Sequence, residues 1–166
     1  MALLTSRAPT DPYSDDDQDD RWCMTVRLLG QVEKELDDAL RTSHGLPLSD
    51  YRALCALSRP DSRPALRMGE LAGRIGLQIS TVTRLVGRLE ARGLVERRGA
   101  DGDGRAVTAT VTASGRKHYR DVTPTYRRAL GRALSDAVDN VYLADLATWV
   151  LSGESGAGAT SRRRDV

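Results

Sequence analysis

Residues 69–112 read GELAGRIGLQISTVTRLVGRLEARGLVERRGADGDGRAVTATVT, and the organisation of the chain can be worked out from this stretch. Gly69 is expected to cap a short helix over residues 70–74, and Gly76 allows a sharp turn because glycine accepts positive φ. Residues 79–92 predict an amphipathic helix, because apolar side chains recur there at i, i+3, i+4 and i+7. The recurring positions are Val82, Leu85, Val86 and Leu89.

The second part of the stretch predicts a β-hairpin. Residues 94–97 and 106–111 are expected to be strands, since the second alternates and is rich in Thr and Val. The Gly- and Asp-rich cluster at 99–104 is typical of a turn. A short helix, a tight turn, a second helix and a hairpin, in this order, predict a winged helix-turn-helix. The predicted fold class is mainly α with a small β-hairpin wing (α+β).

The segments on either side of this stretch are predicted to be helical. Thr112 and Ser135 are expected to cap the two helices that follow it, and Pro124 is expected to kink the first of them. The predicted helices cover residues 19–43 and 49–58 before the stretch, and 114–134 and 135–151 after it.

The outer helices carry more apolar surface than one winged-helix core can bury. We therefore expect the first and the last two helices to form a homodimer, whose two lobes bind half-sites about one turn of DNA apart. The alternative is a monomer whose terminal helices pack on the winged domain. The predicted organisation is a disordered acidic arm at 1–18, an N-terminal dimerisation helix at 19–45, a winged helix-turn-helix DNA-binding domain at 46–112, C-terminal dimerisation helices at 113–152 and a disordered tail at 153–166.

Charge is distributed unevenly along the 166 residues, although the net charge is only +2. Residues 1–20 carry six Asp against one Arg, whereas residues 67–120 carry eleven Lys and Arg against five Asp and Glu. A basic middle on a nearly neutral chain is typical of a protein with a polyanionic partner.

Several classes of protein are disfavoured by the sequence. It contains no run of about 18 apolar residues and no apolar N-terminal leader, which predicts a cytoplasmic protein without a membrane partner. Cys23 and Cys55 have neither a disulfide pattern nor metal-ligand spacing, so no metal or other cofactor is expected. Without a phosphate loop, paired carboxylates or a nucleophile beside a base, the chain is predicted not to be an enzyme.

A helix that buries one face can place the opposite face in the major groove of DNA. Here the opposite face offers hydroxyl groups and arginines that suit phosphates and base edges, at Ser80, Thr81, Thr83, Arg84 and Arg88. The hairpin turn ends in Arg105, which is expected to reach the adjacent minor groove or its phosphates. A winged helix that binds an acidic protein, without specific DNA binding, is the alternative.

The chain resembles the MarR (multiple-antibiotic-resistance regulator) family. The motifs that carry the resemblance are MGELA at 68–72, STVTRLVGRLEARGLVER at 80–97, DGRA at 103–106 and TASGR at 112–116. Together the motifs follow the order of elements in that family over nearly the whole of residues 20–150.

This resemblance implies a dimeric transcription regulator, more often a repressor, that binds an inverted repeat in double-stranded DNA. The family's wing acid and wing arginine correspond to Asp103, which would brace the wing, and Arg105, which would enter the minor groove. Gln78 is added to the predicted DNA-binding residues, although this family often has a capping Ser there. Ala100 and Gly104 also depart from the family pattern and leave the preferred operator sequence open.

Regulators of this kind often respond to a small aromatic or anionic effector. Trp22, Tyr51 and Arg52 fall near the junction where such an effector would bind, although each also suits a structural role.

Cys23 lies near the start of the first helix, where the peroxide-sensing branch of the family has its reactive cysteine. A redox-sensing regulator is therefore a second alternative, but the tyrosines that hold the cysteine in that branch are replaced by Asp37 and Leu48.

Overall fold

The computed structural model describes the backbone of residues 15–59, 65–100 and 103–140, together with positions 144, 147, 148 and 152. The described part falls into two compact units, a central unit of residues 32–133 and a terminal unit made of the residues on either side. In chain order the elements are α1 (Asp15–His44), α2 (Leu48–Ser58), β1 (Leu66–Arg67), α3 (Met68–Ile75), α4 (Ile79–Ala91), β2 (Val95–Ala100), β3 (Asp103–Val111) and α5 (Ala113–Val138).

The central unit has a helical core with a small antiparallel sheet at one side. The strand order is β1-β3-β2, so that β3 lies in the middle, with Val95 opposite Val111 and Leu66 opposite Ala109. This arrangement confirms the predicted fold class, mainly α with a small β wing. β1 was not predicted, because a strand of two residues is too short to show alternation.

The helices enclose one apolar core in the central unit. Leu40, Leu54, Leu71, Leu85 and Val122 are fully buried there, and they come from five different helices. Burying such a side chain is worth about 1.5–3 kcal/mol relative to leaving it exposed, so this core holds α3 and α4 against α2.

The start of α5 packs closely on the beginning of the hairpin. Thr112 donates a hydrogen bond from Oγ1 to the carbonyl oxygen of Gly93 (2.8 Å) and accepts one from the backbone N of Gly115 (2.9 Å). The predicted cap at Thr112 is confirmed by this second bond. Gly115 is required here, since a Cβ would lie 2.0 Å from the carbonyl oxygen of Leu94.

Two predicted helix caps are wrong. α3 begins at Met68, one residue before Gly69, and its first turn is closed when the backbone N of Arg67 donates to Glu70 Oε2 (2.9 Å). Ser135 lies inside α5, which runs through Pro124 to Val138, so no new helix starts at Ser135. The four described positions after residue 140, Ala144, Ala147, Thr148 and Ser152, are helical.

Other boundaries also differ from the prediction. α1 includes residues 15–18, which were expected to be disordered, while residues 1–14 and 153–166 lie outside the described part. Strands β2 and β3 extend into the predicted turn cluster as far as Ala100 and Asp103. Among the described helices, none combines the length and apolar character needed to cross a lipid bilayer.

Candidate nucleic-acid interface

α3, the turn after it and α4 form a helix-turn-helix. Gly76 ends α3 in the left-handed region (φ 69°), as its sequence position predicts, and Leu77 N then donates to the carbonyl oxygen of Ala72 (3.1 Å). Gln78 is the N-cap of α4, and its exposed side chain makes no capping hydrogen bond. The side-chain amide of Gln78 therefore does not cap the first turn of α4.

α4 has one fully buried face and one exposed face. Val82, Leu85, Val86 and Leu89 are each 0% exposed, which confirms the predicted apolar face. Five residues of this helix are predicted to contact DNA. Thr81 is half-buried, and the other four are exposed: Ser80, Thr83, Arg84 and Arg88. The apolar contacts thus hold α4 in place and leave a surface of hydroxyl groups and guanidinium groups facing solvent.

The hydroxyl of Thr83 is already used within α4. Its Oγ1 donates to the carbonyl oxygen of Ile79, four residues earlier, at 2.9 Å. Because the proton is engaged, the oxygen offers only lone pairs to a partner outside the helix. While this bond is in place, the hydroxyl can accept a hydrogen bond from an amino group of a base but does not donate one.

Arg88 has a buried partner that the sequence did not reveal. Its Nη2 donates to Oδ1 of Asp50 on α2 at 2.8 Å, and the Asp50 side chain is only 2% exposed. Arg84, one helical turn earlier, has no ion pair within the part of the chain that the structure describes. Asp50 was missed because an acid in the first turn of a helix is ordinary in sequence.

The wing is tied to the end of α4. Arg97 on β2 donates from Nε to Glu90 Oε2 (2.6 Å), and this hydrogen bond holds the pKa of Glu90 below its usual range. Ala100 pairs with Asp103 across the hairpin, and the backbones of Asp103 and Arg105 lie in β3. The side chains of residues 100–106 are outside the described part, so the predicted roles of Asp103 and Arg105 stay predictions.

A cavity of about 390 Å³ opens beside α2 in the central unit. Two of the predicted effector residues, Tyr51 and Arg52, line it, together with Cys55, Ala56, Arg59, Arg74, Ile75 and Tyr126. The third, Trp22, belongs to the terminal unit and is 66% exposed. Aromatic rings, a thiol and three guanidinium groups give this cavity the chemistry to bind an aromatic anion.

The rings and charges of this cavity are fixed by neighbouring contacts. Tyr51 stacks on Tyr126 with ring centroids 4.4 Å apart, and burial raises the pKa values of both hydroxyls. Arg52 Nη2 donates to Glu33 on α1 (2.6 Å). The Tyr119 hydroxyl donates to the Sγ of Cys55 (3.5 Å).

Neither cysteine forms a disulfide. Cys23 is a free, exposed thiol on α1, so the redox hypothesis for it stays a prediction. Within the described residues, no three His, Cys, Asp or Glu side chains are grouped closely enough to hold a metal ion.

A helix-turn-helix followed by a β-hairpin, with the short strand β1 before it completing the sheet, defines a winged helix-turn-helix protein. The profile of the MarR family (MarR_2) matches residues 44–106. The transcriptional repressor MprA of Escherichia coli K12 is 29% identical over 112 residues, which are 66% of this chain and 60% of that protein. The match therefore spans less than two thirds of that curated relative.

Two solved structures share this fold over most of their length. Sco3205, a MarR family transcriptional regulator from Streptomyces coelicolor in complex with DNA, has a TM-score of 0.69 and 25% identity over 87% of this chain and 90% of that chain. BldR, a transcriptional regulator from Sulfolobus solfataricus, has a TM-score of 0.67 and 28% identity over 84% and 98%. Residues 44–106 thus match the profile of the MarR family, and the fold over most of the chain is similar to that of MarR family regulators.

Proposed function

We propose that this protein is a sequence-specific, double-stranded-DNA-binding transcription regulator, not an enzyme, and that it acts as a repressor. The observation that carries the proposal is the two-faced α4, whose apolar side is fully buried while its polar side is exposed beside the wing. The repressor function named for MprA and the DNA complex of Sco3205 support it.

On this proposal α4 enters the major groove and the wing contacts the flanking backbone. Arg84 contacts a phosphate or the O6 and N7 of guanine, and Thr83 accepts from an amino group of cytosine or adenine. The start of the helix contacts the DNA through Gln78, Ser80 and Thr81. In the wing, Arg105 contacts the minor groove and Asp103 braces the hairpin.

The regulator binds an inverted repeat as a homodimer. The support is an uncovered apolar stripe on α1, where Trp22, Val26 and Leu29 are 66%, 48% and 44% exposed at helical spacing. Exposed apolar patches of this kind mark interaction sites. The functional division is then dimerisation helices at 19–45 and 113–152, with the DNA-binding domain at 46–112.

A small aromatic anion that binds the cavity beside α2 releases the regulator from DNA. The stacked pair of Tyr51 and Tyr126 would line the side of the cavity against its ring. Arg52 would exchange Glu33 for its acidic group. The cavity also includes Arg74 and Ile75 of α3, so an effector there would contact the helix-turn-helix directly.

The deciding experiment selects duplexes from genomic fragments with the purified protein. We expect an inverted repeat to be enriched, and its affinity to fall steeply with salt as phosphate contacts require. Arg84→Ala and Arg105→Ala should each weaken binding, by about 1–3 kcal/mol where a base contact is lost. Arg127→Ala, which removes an exposed arginine from α5, is the matched control and should bind normally.

Three results would contradict the proposal or a part of it. A protein that enriches no sequence over random competitor would favour the interaction module instead. An unchanged affinity of Arg105→Ala would remove the wing from the mechanism, and loss of a peroxide response in Cys23→Ser would favour the redox alternative.

A further inference from the structure

The ion pair between α2 and α4 joins a buried acid to a largely exposed arginine. The Asp50 side chain is 2% exposed, whereas that of Arg88 is 55% exposed. A carboxylate out of water is costly unless it is paired and hydrogen-bonded. Arg88 supplies that pairing at 2.8 Å, with a longer hydrogen bond from the Ser49 hydroxyl (3.3 Å) and a weaker interaction with Arg41.

The same contact fixes the position of the Arg88 guanidinium, while the side chain stays 55% exposed to solvent. Arg88 lies one turn after Arg84 on α4, and a guanidinium has five N–H donors, of which this hydrogen bond uses one. A planar fork recognises guanine or phosphate only in a defined orientation. An arginine held in that orientation loses less side-chain entropy on binding than a free one.

We propose that Asp50 is a positioning residue for DNA recognition, which orients Arg88 of the recognition helix from the interior of the domain. The inference rests on the proposed DNA-binding function and adds to it a residue that never touches DNA. Arg84, without a described ion-pair partner, is the natural comparison, since its contact with DNA is made without such an anchor.

A purely structural role for Asp50 is the competing explanation. Asp50 lies in the first turn of α2, where a negative charge stabilises a helix whatever Arg88 does. The two explanations differ in one respect. An acid that acts through Arg88 loses its influence on DNA binding when Arg88 is absent, whereas an acid that only stabilises α2 does not.

A double-mutant cycle with DNA affinity as the readout separates the two explanations. The variants are Asp50→Asn, Arg88→Ala and their combination, titrated on the selected inverted repeat at a temperature where each is folded. Asp50→Asn should weaken binding by about tenfold in the wild-type background and less than about twofold in the Arg88→Ala background. In the Arg84→Ala background, its full effect should remain.

A second variant covers the case in which Asp50→Asn does not fold. Arg88→Lys keeps the charge that neutralises Asp50 but lacks the planar fork. It should unfold close to the wild-type temperature and yet bind the selected duplex about tenfold more weakly. Wild-type affinity of Arg88→Lys would show that orientation of a fork is not required, and would overturn the inference.

The remaining outcomes are distinct from one another. Equal effects of Asp50→Asn with and without Arg88, or no effect in either background, would overturn the role of Asp50 while the proposed function stands. A wild-type protein that prefers no duplex over random competitor would overturn the proposed function, and this inference with it.

Discussion

α4 and the first half of α1 both carry apolar stripes at helical spacing, but among the described residues the stripe of α4 is buried and that of α1 is exposed. On α4 the stripe is fully buried, as the 0% exposure of Val82 and Leu89 illustrates. On the first half of α1, Trp22 and Val26 remain open to solvent. Amphipathic spacing alone therefore predicts a helix but does not say which surface covers it.

The exposed faces of these two helices differ in chemistry. α4 turns hydroxyls and guanidinium groups outward, which suits a hydrated, negatively charged partner. α1 turns an indole and aliphatic side chains outward, which suits a second apolar surface. The comparison thus separates the face proposed for DNA from the face proposed for a second copy of the chain, and four experiments test these two helices and the packing around them.

The largest effect on stability is expected when a side chain in the buried stripe of α4 is truncated. Leu85→Ala should lower the free energy of unfolding by about 2–5 kcal/mol, because Leu85 is fully buried and its loss leaves a cavity. Urea denaturation at fixed protein concentration measures this. Arg84→Ala, on the exposed face of the same helix, should stay within about 0.5 kcal/mol of the wild type; similar losses in both variants would contradict the two-faced description.

The next effect tests how tightly the central unit is packed around α4. Gly115→Ala should cost about 1–3 kcal/mol, because its Cβ would overlap the backbone carbonyl of Leu94. The control is Gly131→Ala on the same helix, where a Cβ lies within 4 Å of no described atom. This substitution should stabilise α5 by about 0.5–1 kcal/mol. If both variants melt at the wild-type temperature, the close approach at Gly115 is absent.

A smaller effect is expected on the uncovered stripe of α1. Leu29→Asp should raise the dissociation constant of the homodimer at least about tenfold, since it places a charge in the proposed apolar interface. Sedimentation equilibrium measures the change. Gln31→Asp adds the same charge to an exposed position on the other side of α1 and should leave the dimer intact. Equal sedimentation of Leu29→Asp and wild type would assign the stripe to something other than self-association.

The smallest effect concerns pH and the buried side of α5. Burial lowers the pKa of His118 from the ordinary 6.5, with Arg92, His44 and Lys117 lowering it further and Asp121 opposing them. The unfolded chain then binds the proton more readily, so stability is complete above about pH 6.5 and falls as the pH drops below it.

The His118 prediction is checked by urea denaturation between pH 7.5 and 5.5. His118→Gln should flatten the loss of stability, because the substituted side chain does not titrate. His118 Nε2 is buried without a hydrogen-bond partner among the described atoms, which is why protonation there is unfavourable. A pH dependence as steep in His118→Gln as in the wild type would assign the effect to another group.

Much of the fold could be predicted from local patterns. The spacing of Val82, Leu85 and Val86 predicted both α4 and its buried face, and the Thr112 cap was readable because capping involves neighbours along the chain. The local signal was misleading at Ser135, because a serine is also compatible with the interior of a helix and α5 continues past it to Val138. Local signals failed as well at Leu66–Arg67, whose pairing with β3 is not local.

The candidate site was predicted less completely. The exposed residues of α4 were identified because a helix that buries one face must expose the other. Asp50 and Arg88 are separated by 38 positions, so no pattern along the chain connects them. The cavity likewise joins Tyr51, Arg74 and Tyr126 from three helices, and only the first of them was expected there.

The sequence by itself determined the helix-turn-helix with its hairpin, the buried face of α4 and the residues that face outward from it. These follow from periodicity, caps and glycine turns, which act over a few residues. The tertiary structure decided that Asp50 pairs with Arg88, that α5 packs on Leu94, and which side chains enclose the cavity. Such contacts form between residues that are far apart in the sequence, so they depend on how the helices are placed in space. For Asp50 the placement matters most, because a buried carboxylate is costly unless it is paired and hydrogen-bonded.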